Sequence, residues 1–369
     1  MAEPFKEWFN PSVVAALGER QRQVDSSFPL DRFVREATDG LAAFELKGRV
    51  THIAEALRRA LPAEWPAAVD RLLAAAPDAL EGEEAVGQHV AMWPLLHVVE
   101  VHGLGDPARS LLALGELTRR FSAEFAVRPY LHHHPELAWA SMHRWAVSDD
   151  VHQRRLASEG ARPRLPWGGR VPALITDPGP GLAVLERLKD DSALYVRKSV
   201  ANHLNDVTKD HPQRALSVAR TWLHGASEDR RWVVRHALRM LVKQGQPEAL
   251  ALLGFEAPKV RLTALTLSAA EAWIGDTLTL SATLEGDVSQ ALVIDYALQT
   301  PGARPERPSE KVFKGLTATI TPGEPLALRL NHKLREVTTR TLRPGPARLS
   351  LLVSGERVGG ADFTLREPA

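Results

Sequence analysis

The chain has 369 residues, 44% of them hydrophobic and 25% charged, with a net charge of +1 and no cysteine. That length allows two domains with real cores, and the missing cysteine excludes disulfides, cysteine-ligated zinc and cysteine-ligated iron–sulfur clusters. Neither a basic leader with an apolar core nor a bilayer-spanning apolar run is found, so a cytoplasmic protein without a membrane partner is expected. The charge is uneven: −6 over residues 1–100, +5 over 101–256 and +2 over 257–369. An excess of that kind points to an anionic partner for the middle segment or to a solvated basic surface.

The first hundred residues read as helices over Pro11 to Gln23, Asp31 to Leu41, Leu46 to Leu61 and Glu64 to Ala75, separated by Pro29, Gly40, Pro62 and Pro77. Val50, Ile53, Ala54 and Leu57 recur at helical spacing, with His52 beside them as a packing residue. Leu80 to Gly87 is acidic and reads as a loop, and Trp93-Pro94-Leu95 starts the next packed element. Asp106 and Pro107 form an N-cap and N1 pair. The apolar run through Leu111, Leu114, Leu117, Phe121 and Phe125 predicts a helix ending near Arg128-Pro129, with Glu124 in its last turn. His132, His133 and His134 precede Pro135 without matching ligand spacing and read as a solvated loop, so no metal is called for.

Residues 149–167, DDVHQRRLASEGARPRLPW, predict an arginine-rich amphipathic helix that stops at Glu159. Gly160 is the expected C′ residue, and Pro163 and Pro166 prevent the helix from resuming. A carboxylate in a last turn faces the negative end of the helix dipole, costing about 0.3–1 kcal/mol. Compensation comes from Arg154, Arg155, Arg162 and Arg164, or from a cationic ligand. Trp167, between Pro166 and Gly168, is either a core residue or one that projects from the loop.

Three segments align: Gln153-Arg154-Arg155-Leu156, Val196-Arg197-Lys198-Ser199 and Val234-Arg235-His236-Ala237. The shared arginines are 43 and 38 residues apart, within the range of HEAT-type helical repeats. Asp191 and Asp229 stand five residues before the valines, as helix-starting caps. Stacked repeats place the arginines, with Arg155, Lys198, Arg239 and Lys243, along one concave face as a basic stripe; the competing reading pairs them with those aspartates across repeats. Asp206 lies late in its helix, and if equivalent helices line one groove, Glu124, Glu159 and Asp206 converge.

From Arg261 onward seven alternating runs follow: 261–267, Thr277 to Leu284, Ala291 to Gln299, Lys311 to Ile320, Leu326 to Asn331, Ala347 to Val353 and Gly359 to Leu365. They predict an antiparallel β-sandwich, with Pro301 to Pro308 as an exposed loop. The chain is thus expected to be mainly α, a helical-repeat solenoid over residues 1–256 followed by a small all-β domain over 257–369.

The blocks ELKGRVTHIAEAL (45–57), LTRRFSAEFAVRP (117–129), RRLASEGARPRLPWG (154–168), VRKSVANHLNDVTKDHP (196–212) and RHALRMLVKQG (235–245) resemble the AlkC branch of the AlkC/AlkD-like DNA alkylation repair glycosylases. The β domain resembles the immunoglobulin-like domain of the longer members. The resemblance implies a monofunctional, cofactor-free monomer that excises 3-methyladenine and 3-methylcytosine from double-stranded DNA without flipping the base. It also implies that Glu124, Glu159, Asp206 and Trp167 act at the lesion. Arg154, Arg155, Arg162, Arg164, Arg197, Lys198, Arg235, Arg239 and Lys243 are then the expected DNA contacts. Gln153 departs from the pattern, an apolar residue being expected before the arginine.

The residue chemistry agrees with that implication. A cationic methylated base leaves readily, so the remaining task is to stabilise an oxocarbenium-like sugar, which fixed carboxylates do electrostatically. The competing class is a non-catalytic helical-repeat scaffold binding DNA or protein. Carboxylates at helix ends beside a basic stripe favour the enzyme, because a groove that only binds phosphate gains nothing from them.

Overall fold

The computed structural model describes residues 4–79, 89–304, 307–336 and 341–367; the stretch Leu80 to Gly87, read as a loop, lies outside them. The helices are α1 (Pro11–Val24), α2 (Leu30–Thr38), α3 (Leu46–Ala60), α4 (Trp65–Ala74), α5 (Trp93–His102), α6 (Pro107–Leu117), α7 (Arg128–His133) and α8 (Pro135–Trp145). They continue as α9 (Val151–Glu159), α10 (Pro172–Thr176), α11 (Gly179–Leu188), α12 (Leu194–Val207), α13 (Pro212–Leu223), α14 (Glu228–Ala237), α15 (Arg239–Lys243) and α16 (Pro247–Leu252). Two compact units result: Met1–His211 with Ala226–Ala237, and Pro212–Gly225 with Leu238–Ala369.

In the first unit the helices start where polar caps and proline dictate. Asn10 accepts from Val13 N at 3.1 Å and Asp106 from Arg109 N at 3.2 Å, each ahead of a proline that lacks the donor a first turn leaves unpaired. The stripe Val50, Ile53, Ala54 and Leu57 is buried as its spacing demands. Helix α9 packs between α8 and α12, and α12 packs on α14, which brings the three aligned segments into successive contact.

Several sequence expectations are corrected. Helix α6 stops at Leu117 instead of running to Arg128. Phe121 N still bonds Leu117 O, but Ala123 N turns to the Thr118 hydroxyl, and the chain bends so that Phe121 and Phe125 lie against Trp93 at 6.1 and 5.2 Å. Glu124 is therefore in a turn, and Pro129 opens α7 rather than ending α6. His132 and His133 belong to the last turn of α7, not to a loop, and His134 donates from Nε2 to Leu104 O at 2.9 Å. Gly160 has ordinary helical angles; a Cβ there would lie 2.6 Å from Val127 Cγ1, so close packing and not a left-handed turn requires glycine. Gln153 is accommodated by hydrogen bonds, donating to Gly115 O and accepting from Ser148, both at 2.8 Å.

The second unit carries strands β1 (Val260–Leu267), β2 (Glu271–Trp273), β3 (Thr277–Gly286), β4 (Gln290–Arg304), β5 (Arg307–Ile320), β6 (Leu326–Lys333), β7 (Gly345–Val353) and β8 (Glu356–Arg366). They form sheets β1-β3-β6 and β2-β8-β7-β4-β5, whose facing side chains, such as Leu278, Leu280, Leu284, Ile294, Leu349 and Leu351, make one core. Pro301 to Pro308 is not a loop in its described part: β4 and β5 extend into it, pairing Arg304 with Arg307. The three-residue β2, parallel to β8, is too short to show an alternation.

Candidate active site

Three carboxylates from three sequence blocks meet in one alternating chain of charges. Arg155 bridges Glu124 Oε2 at 2.8 Å and Glu159 Oε1 at 3.7 Å; Arg162 bridges Glu159 Oε1 at 2.7 Å and Asp206 Oδ2 at 2.9 Å. Lys209 closes the far end on Asp206 Oδ1 at 3.1 Å. Glu159 and Asp206 sit in the last turns of α9 and α12, where the dipole opposes them, and both are buried. Such charges are tolerable only because each is bonded and paired.

The protonation states follow from the partners. Burial alone would raise the Glu159 carboxyl, but Arg155, Arg162 and the Ser199 hydroxyl, which donates to Oε2 at 2.5 Å, outweigh it and hold the group below the usual carboxylate range. Burial likewise opposes charge on Arg155, and Glu124 and Glu159 more than offset it, so Arg155 is raised above its ordinary value. The Arg155 guanidinium also lies 4.8 Å from the centre of the Tyr195 ring. Glu124 is the least enclosed of the three carboxylates: Ser122 and Arg155 both engage Oε2, and among the described residues Oε1 takes no hydrogen bond.

Behind the chain, His203 is fully buried and donates from Nδ1 to Ser158 O at 3.0 Å. Burial drives its pKa down to about 4, so the ring is neutral at physiological pH. Arg128, also buried, donates to Gly160 O and Arg162 O at 2.9 Å each and to Gly169 O at 2.9 Å through Nε. It thereby ties both ends of the 160–169 loop to α7. Burial, and then the neighbouring Arg162, lower it to about 10.

The loop presents Trp167, which is 59% exposed. Its φ is +62°, a left-handed conformation that costs a bulky residue about 1–3 kcal/mol and tends to persist where function requires it. Lys47 donates to the Trp167 carbonyl and lies 5.6 Å from the centre of the Phe125 ring.

The expected stripe of cations separates into groups. Arg154 pairs with Asp191 at 2.6 Å and Arg197 with Asp229 at 3.0 Å, the cross-repeat pairing that competed with phosphate contact in the sequence. Arg155 and Arg162 face the carboxylates, and Arg164 holds Asp210 at 2.7 Å. Lys198 and Arg235 are exposed and carry no ion pair among the described residues. Arg239 and Lys243 stand on α15, in the second unit. Sequence reasoning missed Ser122, Ser199, His203 and Arg128 as partners of this site. All four lie inside the blocks that carry the resemblance, but no local pattern in the sequence marks them as partners.

Helical repeats joined to an immunoglobulin-like sandwich, with a carboxylate chain at the repeat ends, define a class that comparison with known proteins makes specific. Residues 121–241 match the family model described as DNA alkylation repair enzyme, and residues 261–367 match the C-terminal Ig-like domain of the uncharacterised protein YhaZ. The chain is 36% identical over 360 residues to uncharacterized protein YhaZ of Bacillus subtilis (strain 168), covering 97% of this chain and 98% of that protein. It is similar over 99% of its length, and all of the other chain, to Pseudomonas fluorescens alkylpurine DNA glycosylase AlkC bound to DNA containing an abasic site analog, with 37% identity and a TM-score of 0.91. The chain belongs to the DNA alkylation repair enzymes, in their AlkC branch.

Proposed function

We propose that this protein is a monofunctional DNA glycosylase that removes cationic N3-methylated bases, 3-methyladenine and 3-methylcytosine, from double-stranded DNA without flipping them. The observation that carries the reading is the convergence of Glu124, Glu159 and Asp206 into one bonded chain, at a site of a chain that is similar throughout to a glycosylase. A cationic base departs as a neutral molecule, taking the electron pair of its bond to C1′. Positive charge then develops on the sugar, and water adds to C1′ while losing a proton.

Carboxylates held ionised before the reaction stabilise that charge without reorganising, which is worth about 2.7–4 kcal/mol for one such group. The open Oε1 of Glu124 is the oxygen available to the sugar or the water, with Glu159 and Asp206 fixed behind it. Trp167 offers an aromatic face to the cation, worth roughly 0.5–2 kcal/mol. Neutral bases, being poor leaving groups, react slowly at such a site.

Lys198 and Arg235 are the proposed phosphate contacts of the first unit, and Arg239 and Lys243 those of the second. We place the catalytic domain at residues 1–256 and an accessory domain at 257–369, because helix gives way to strand between Leu252 and Val260. Incubating the purified protein with methylated duplex DNA and measuring abasic sites and released bases tests the reading. Release of 3-methyladenine is expected. DNA binding with no base release at any enzyme excess would leave the scaffold reading in its place.

A further inference from the structure

Three exposed apolar side chains of the first unit gather in one patch. Phe5 and Trp8, from the 3-10 turn Phe5–Trp8, meet edge to face at 4.7 Å, and Phe5 meets Trp167 in the same manner at 6.0 Å. They are 51%, 40% and 59% exposed, although aromatic side chains of this size are normally covered. The backbone beneath them is fixed. The buried Arg49 donates to Lys6 O at 2.9 Å and Phe9 O at 3.1 Å and pairs with Glu7 at 3.1 Å, while Lys47 and Arg128 hold the loop that carries Trp167. Rigid support under exposed rings suits a surface that must present faces to a ligand in one orientation.

We propose that Phe5 forms, with Trp167, a second aromatic wall of the DNA site, on which an unstacked nucleobase next to the lesion rests. This rests on the glycosylase reading above. Trp167 stands in the loop that Arg128 ties down at Gly160 and Gly169. Lys47, which donates to the Trp167 carbonyl, lies over the ring of Phe125, the sequence neighbour of Glu124, so the patch is linked to the carboxylate end of the site. Lys47 makes no ion pair among the described residues and stands at the base of the patch, whereas Lys6 is paired with Glu45 at 2.8 Å. One available cation beside exposed rings suits a planar base with a flanking phosphate and not an apolar protein partner. An enzyme that leaves the damaged base in the duplex still has to open the stack to reach C1′, and aromatic or apolar wedges are the usual means of holding a step open.

The test uses the full chain and a duplex carrying an abasic site analog with 2-aminopurine on its 3′ side. The wild type should alter the 2-aminopurine emission on binding. Phe5→Ala should abolish that change and weaken binding to the damaged duplex roughly 10-fold, while affinity for undamaged duplex stays within about 2-fold. Phe5→Tyr should restore both, and Phe5→Leu should not, because stacking needs a ring and packing needs only bulk. Wild-type behaviour of Phe5→Ala and Phe5→Leu, or equal weakening on both duplexes, would overturn the proposal while leaving the glycosylase reading intact. A wild type indifferent to the abasic site would overturn both. A wild-type dimer that Phe5→Ala converts to monomer would make the patch a contact between copies of this chain and overturn it as well.

Discussion

Two sets of arginine–carboxylate pairs run through the same helical repeats and do different things. In the ladder formed by Arg119–Asp150, Arg154–Asp191 and Arg197–Asp229, the aspartates sit at or just before helix starts. Asp150 caps α9 by accepting from His152 N and Gln153 N, and Asp191 accepts from Ala193 N at 2.9 Å. The ladder arginines also donate to carbonyls, Arg154 to Ser148 O and Arg197 to Asp191 O and Ser192 O. The aspartates there agree with the local backbone dipole, and Arg154 and Arg197, early in α9 and α12, are satisfied by those carbonyls. In the chain Glu124–Arg155–Glu159–Arg162–Asp206, by contrast, two carboxylates occupy helix ends that disfavour them, and side chains alone compensate. The first arrangement is what stability selects; the second has a cost that binding or catalysis must explain.

The comparison is sharpest at the chain's own carboxylates. Glu159→Gln and Asp206→Asn should each slow single-turnover base release on the order of 10²–10³-fold, with DNA affinity unchanged or improved as an anion leaves a phosphate-facing site. Arginines left without their partners would instead lower the melting temperature; fully folded variants that excise normally would remove these residues from the mechanism. Arg154→Ala should do the reverse. It removes the ion-pair partner of Asp191, whose side chain is 4% exposed and, among the described residues, keeps only its bond from Ala193 N. The cost should be roughly 3 kcal/mol in urea unfolding, while excision falls only with the folded fraction.

Behind the chain, the neutral His203 makes stability depend on pH. Its folded pKa of about 4 lies below the ordinary 6.5, so between those values the unfolded chain binds the extra proton. Its contribution is complete above pH 6.5 and is lost as pH falls toward 4, by roughly 3 kcal/mol. Urea midpoints across this range should show that slope, and His203→Gln should flatten it. The smallest effects belong to the cations outside both sets. Lys198→Ala and Arg235→Ala should each reduce the salt slope of DNA binding by about 1 and change stability by less than about 0.5 kcal/mol. A large loss of stability in either would place it in the ladder instead.

Much of this was legible in the chain itself. The stop of α9 at Glu159, the period that relates Arg154 to Arg197 and Arg235, and seven of the eight strands follow from caps, prolines and alternation, which act over a few neighbouring residues. So does the awkward placement of Glu159 and Asp206, since dipole position is a local property. What the arginines do is not local. Arg154 and Arg155 are adjacent in sequence, yet one turns to Asp191 in the next repeat and the other to Glu124 in the previous turn, because consecutive residues on a helix point about 100° apart. Local periodicity also misled at α6, where Phe121 and Phe125 continue the apolar spacing but leave the helix to stack on Trp93. Glycine at 160 was legible as a helix terminus, but its reason, the approach of Val127, was not. Ser199, His203 and Arg128 carry no sequence mark of their roles, because a hydroxyl 40 residues from Glu159 becomes its hydrogen-bond donor only once packing sets α12 against α9. Composition and periodicity determined which helices and strands form; the side-chain partners that fix charge, orientation and exposure at the site were decided by tertiary contacts between residues far apart in the chain.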